Sequence, residues 1–185
     1  MMQWTSFLCP LIALHAGLGA AWGTHVKRGS ETNATLLAYG QNSSAYPIAY
    51  GLSDGLLYIA QNPENTAADL TPMYWDLPSI TDDCWIVNGT FMNGTRAGSL
   101  YIRPESDNCL GVLPFAQAKG VNGVVTGFGL FASQLVYNNN TQLEAQFWAA
   151  KTDTENVYKL VWVEDSAQLA SESFPVVVKA SEDST

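Results

Sequence analysis

LEAQFWAAKTDTENVYKLVWVE, Leu143 to Glu164, sets two aromatic-rich runs on either side of a polar turn. Each run is short, and neither repeats its apolar residues at helical spacing. Both fit the two-residue alternation of strands, so the stretch reads as a β-hairpin. Alternation also assigns faces. Along 143–149, Leu143, Ala145, Phe147 and Ala149 share one side, leaving Glu144, Gln146 and Trp148 on the other. Along 157–164, Lys159 marks an outward set with Val157, Val161 and Val163, and Tyr158, Leu160, Trp162 and Glu164 point inward.

The same texture continues outward from the hairpin. Short β-branched and aromatic runs recur between clusters of Gly, Asn, Pro and Ser, at 35–39, 47–50, 56–60, 73–76, 84–87, 99–103, 109–113, 124–131, 134–137 and 175–179. That spacing predicts an all-β chain, an antiparallel β-sandwich or barrel-like single domain. Short helices are the expectation only at 65–70 and 166–171. At Ser53-Asp54-Gly55 the Asp-Gly pair supplies the positive φ of a tight turn.

The N-terminal residues set the expected compartment. An apolar run from Phe7 to Ala21, closed by small residues, has the form of a secretory signal peptide over 1–23, with a membrane-anchoring helix as the alternative. Lys27-Arg28 follows and resembles a kexin-type processing site, which would end a pro-segment at 24–28 and leave a β-rich domain over 29–180 with a flexible tail at 181–185. Cleavage there would remove His15, His25 and Cys9, so the mature chain would carry no histidine. Catalysis by Ser-His-Asp or Cys-His groups, and His-ligated metal sites, are then excluded. No catalytic residue, metal site or cofactor is assigned.

Acidic residues outnumber basic ones 17 to 8, a formal charge of −9. This opposes binding to nucleic acid, whose phosphates require Lys and Arg. No span is expected in the mature chain, whose partners are expected to be a cell-wall polysaccharide or a surface protein. Cys84 and Cys109 form an even pair in an oxidising compartment and are expected to be a disulfide.

Five sequons are present, at Asn33, Asn42, Asn88, Asn93 and Asn139. Four coincide with expected turns, where a glycan remains in solvent. The segments LAYG at 37–40 and PIAYGLSDGLLYI at 47–59 resemble the opening of small secreted proteins of uncharacterised function from filamentous fungi. The resemblance implies an extracellular protein and carries no catalytic residues.

Three constellations bear on function. Glu144 and Glu164 border the hairpin and suit the two-carboxylate chemistry of glycoside hydrolases, but alternation puts them on opposite faces unless a bulge intervenes. Asp76, Asp82 and Asp83, with Glu105 and Asp107, offer oxygen ligands of the kind Ca²⁺ takes, without EF-hand spacing. Trp148, flanked by Gln146 and Lys159, is the best candidate for a ring that stacks on a sugar. The expectation is a secreted, non-catalytic glycoprotein acting at the fungal cell wall or at a host or substrate surface. The alternatives are a glycan-binding β-sandwich module and a carbohydrate-active enzyme using a carboxylate pair.

Overall fold

The computed structural model describes residues 29–40, 44–65, 69–103 and 108–181. The leader, the Lys27-Arg28 site, Asn42, Glu105 and Asp107 lie outside these residues.

The chain is built from antiparallel strands. β1 (Glu31–Tyr39) and β2 (Ala45–Gly51) form a hairpin, and β3 (Leu57–Ala60) returns beside β2. The expected turn between them is present. Gly55 takes a φ of 73°, and Asp54 accepts hydrogen bonds from the Leu56 N–H at 3.1 Å and the Tyr58 hydroxyl at 2.6 Å. β4 (Leu70–Leu77) enters where β1 and β2 part, its first half on β2 and its second half on β1. β5 (Asn88–Phe91), β6 (Arg96–Ile102) and β7 (Leu110–Leu113) extend that sheet.

One short helix, α1 (Phe115–Gly120), precedes β8 (Phe128–Phe131), β9 (Gln134–Asn139) and β10 (Gln142–Glu144). The hairpin of β11 (Phe147–Lys151) and β12 (Val157–Trp162) follows, and β13 (Phe174–Ser181) completes the described chain. Hydrogen bonding runs from β1 through β2, β3, β12, β11 and β13, and β13 pairs back onto β1, with Leu36 opposite Ala180 and Ala38 opposite Val178. This circuit leaves few bare strand edges.

The core draws on strands of this circuit and on β4 and β6–β9. Ala34, Leu36 and Ala38 of β1 and Val176 and Val178 of β13 alternate inward, meeting Ile59, Trp75, Phe147 and Leu160 in one cluster. Burying each large side chain contributes about 1.5–3 kcal/mol. The expected hairpin is present, and its register sets Phe147 opposite Trp162 and Ala149 opposite Leu160, so that the sides expected to pack do share one face.

Several expectations are corrected. Val157, Val161 and Val163 are buried rather than outward: Val157 packs with Ala49, Ala60 and Leu70, and Val161 with Leu56 and Cys109, whose segment also pairs along the edge of β12 through the Cys109–Val161 bridge and the Trp162 N–H donated to the Asn108 carbonyl at 3.0 Å. β12 is therefore covered on both faces. The expected disulfide is absent: Cys84 is exposed, whereas Cys109 is buried beside Leu56 and Val161. A bridge requires the two sulfurs to share one environment at bonding distance. Residues 84–87 are not a strand, and the continuous strand expected over 143–149 is two, β10 and β11, separated at Ala145 and Gln146. The helix expected at 166–171 reduces to a single 3₁₀ turn at Ser166–Gln168; of the one expected at 65–70, residues 66–68 lie outside the described residues, a 3₁₀ turn ends at Asn65 and Leu70 already opens β4.

Candidate functional site

The polar turn of the hairpin does more than connect two strands. Thr152 donates its hydroxyl to the Val157 carbonyl at 2.6 Å and accepts the Thr154 N–H at 3.2 Å, which closes the loop on itself. Asn156 then adopts a φ of 58°, a left-handed conformation that Asn tolerates better than most residues. It is thereby placed at the rim of a cavity of about 200 Å³.

Three aromatic rings form the cavity wall: Tyr46 from β2, Tyr158 from β12 and Phe174 at the start of β13. Tyr158 and Phe174 meet edge to face, their centroids 5.1 Å apart at 74°. Gly40, just after β1, is also required here, because a Cβ at this position would stand 2.9 Å from the Phe174 ring. The rest of the described lining is Ser44, Gln61 and Asn156, so no charged group borders the cavity among the described residues. Ring faces and neutral amides together bind C–H and hydroxyl groups of a neutral ligand.

Trp148 and Lys159 do share a face, opposite Val161 and Ala150 respectively. That face is only partly open, since Trp148 packs on the cluster of Leu56, Cys109 and Val161. Gln146 is not beside them as a ligand: with its amide oriented to donate, it bonds the carbonyls of Val163 and Glu164 at 3.0 and 3.1 Å. It serves to tie the start of β11 to the end of β12.

The two glutamates are the larger surprise. The break at Ala145 and Gln146 shifts the parity of β10, so Glu144 stands opposite Tyr137 of β9. Tyr137 in turn packs edge to face on Trp162, 4.9 Å between centroids. Glu164 accepts a hydrogen bond from the Asn139 amide, and both carboxylates act electrostatically on the Tyr137 hydroxyl. Both thus act on one hydroxyl, where the alternation argument set them on opposite faces. Glu144 Oε2 and Trp162 Nε1 are buried here without a hydrogen-bond partner among the described residues.

Burial first, and the two carboxylates second, hold the Tyr137 hydroxyl above its ordinary pKa of 10.0. A raised folded-state pKa contributes stability below the unfolded value, which is lost as pH rises through the folded one. Loss of stability is therefore expected above pH 10.0. Tyr137→Phe should reduce that alkaline loss, as read from urea midpoints at stepped pH.

Among the described residues no three His, Cys, Asp or Glu side chains gather to hold a metal. Asp76 and Asp83 are exposed, and the Asp82 carboxylate accepts the Ser79 N–H at 2.7 Å as a local turn bond. Of the sequons, Asn33 and Asn93 are exposed, and Asn88 and Asn139 are half-buried within strands. No described helix is long and apolar enough to cross a membrane.

No protein-family model matches the chain, and no curated protein or solved structure matches it either.

The cavity escaped sequence reading because its walls come from four separated segments. Its only local signal was Asn156 next to Tyr158, an amide and a ring at the mouth of the hairpin turn.

Proposed function

We propose that this is a secreted, non-catalytic protein that binds a neutral saccharide in the Tyr46, Tyr158 and Phe174 cavity, acting at a cell wall or another glycan-bearing surface. One observation carries the reading: three rings, two of them phenols, with two primary amides and the Ser44 hydroxyl surround one small cavity, and no charge lines it among the described residues. Rings offer flat apolar faces to the C–H side of a pyranose, and amides satisfy its hydroxyls. The leader, the sequons and the resemblance to secreted fungal proteins support the extracellular setting. The return of β13 to β1 favours a barrel-like architecture over an open sandwich.

The test is a glycan array together with a polysaccharide hydrolysis panel on the full chain. Gln61 is exposed, so Gln61→Ala should fold and weaken saccharide binding by about tenfold, the value of a hydrogen bond near 1 kcal/mol or somewhat more. Phe174→Leu should weaken it as well by removing the ring face. Binding that is indifferent to both would refute the cavity as the seat.

A two-carboxylate hydrolase is the second reading, favoured by the approach of Glu144 and Glu164 to one tyrosine. The same panel decides it. Release of reducing ends that vanishes in Glu144→Gln or Glu164→Gln would establish the enzyme and overturn the non-catalytic proposal.

A further inference from the structure

The turn between β5 and β6 is Phe91-Met92-Asn93-Gly94-Thr95, which contains the sequon at Asn93. Its backbone is closed twice over: the Phe91 N–H donates to the Thr95 carbonyl and the Gly94 N–H donates to the Phe91 carbonyl, both at 2.8 Å. Gly94 takes the left-handed φ of 82° that such a bulged turn needs. Asn93 Oδ1 accepts the Thr95 N–H at 2.9 Å. The trigonal amide then directs Nδ2 away from the turn backbone, where Asn93 is exposed.

A groove runs alongside, with a volume of about 480 Å³, lined by Phe91, Met92 and Asn93 together with Leu52, Thr71 and Thr95. Met92 and Leu52 are 53% and 52% exposed, the two highest values among the exposed large hydrophobic side chains. Paired apolar exposure at the tip of a hairpin calls for a cover. The group that can reach it without a second molecule is one bonded to Asn93 itself.

We propose that Asn93, and not its neighbour Asn88, carries an N-linked glycan, and that the first N-acetylglucosamine lies in this groove against Phe91, Met92 and Leu52. The proposal rests on the secreted setting above. Asn93 Nδ2 attacks C1 of a polyprenyl-diphosphate-linked oligosaccharide. The C1–O bond breaks, the diphosphate leaves with the bonding pair, and Nδ2 loses one proton and retains the other. Thr95 supplies the hydroxyl position of the acceptor motif. The C–H face of the sugar and its acetamido methyl then exchange water for the Phe91 ring and the two exposed aliphatic chains.

Asn88 is a poor competitor. Its Oδ1 accepts from Ser99 Oγ at 2.9 Å and from Arg96 Nη2 at 3.0 Å, inside the three-strand pairing of β4, β5 and β6. A glycan there would have to leave a half-buried sheet face. The two sequons are therefore separated by packing, although only five residues apart.

The experiment is glycopeptide mass spectrometry on the full chain secreted from a eukaryotic host, followed by urea unfolding after endoglycosidase trimming to one sugar. Asn93 should be occupied and Asn88 empty. The trimmed protein should have an unfolding constant about fivefold smaller than Asn93→Gln. Repeating the pair in Leu52→Ala, an exposed position whose truncation leaves the fold intact, removes the contribution of the turn bond from the comparison. The glycan effect should shrink there. Modification of other sequons with Asn93 bare would overturn the proposal alone, as would a glycan effect unchanged by Leu52→Ala. A secreted chain with every sequon bare would likewise overturn the proposal alone, whereas a chain retained unmodified in the cytosol of the host would overturn the secreted setting with it.

Discussion

Phe147→Ala is expected to destabilise the protein by about 3–5 kcal/mol, the cost of deleting a buried aromatic ring. Phe147 is 1% exposed and lies on β11 between Trp162 of β12 and Val176 of β13. Its ring thus fills the core at a three-strand junction of the closed circuit. Truncation leaves a cavity that its neighbours cannot close, because each is fixed in a ladder. Trp162 would lose support on one side, and with it the packing of Tyr137 against the indole. Urea unfolding monitored by tryptophan fluorescence measures the loss. A cost below about 1 kcal/mol would mean that the site collapses freely, contrary to close packing.

Gly98→Ala is expected to be the other severe substitution. Gly98 in β6 has a φ of 147°, and a Cβ there would lie 2.3 Å from both the carbonyl carbon and the oxygen of Leu113. These are backbone atoms, so no rotamer change relieves the overlap. β7 and the start of α1 would have to move. Backbone strain contributes about 1–3 kcal/mol, and the forced displacement about another 1–3 kcal/mol. Gly120→Ala is the control, since a Cβ there meets nothing within 4 Å. It should leave stability unchanged or raise it by up to about 1 kcal/mol. Equal effects at the two glycines would refute the steric argument.

Legibility of the fold in sequence varied with the range of the contact concerned. The shared face of Phe147 and Trp162 follows from local alternation and a loop of ordinary length. The burial of Val161 does not, because its cover arrives from Cys109, distant in the chain. Leu143, Ala145 and Phe147 preserve an unbroken alternation, which hid the interruption before β11 and with it the placement of Glu144 opposite Tyr137. β5 was missed since Asn88-Gly89-Thr90 reads as a turn, although Gly89 is there to admit Met73, whose terminal carbon would stand 2.5 Å from a Cβ. α1 is too short to show a helical period. For the cysteines, counting to an even number says nothing about burial, and burial is what separates Cys84 from Cys109. The cavity required β1, β2, β12 and β13 to be in place before it had walls, so no local pattern could announce it.

The pairing of β13 with β1 also has a consequence in time. Strands near opposite ends of the described chain must meet before the circuit closes, with Thr35 opposite Ser181. A chain emerging from the ribosome therefore holds β1 with one side bare until the described strands between it and β13 have been made. Long-range pairing of this kind is slow and leaves intermediates open to association. In the proposed secreted setting, sugars attached early, at exposed asparagines such as Asn33 on that waiting strand, would keep nascent chains apart until β13 arrives.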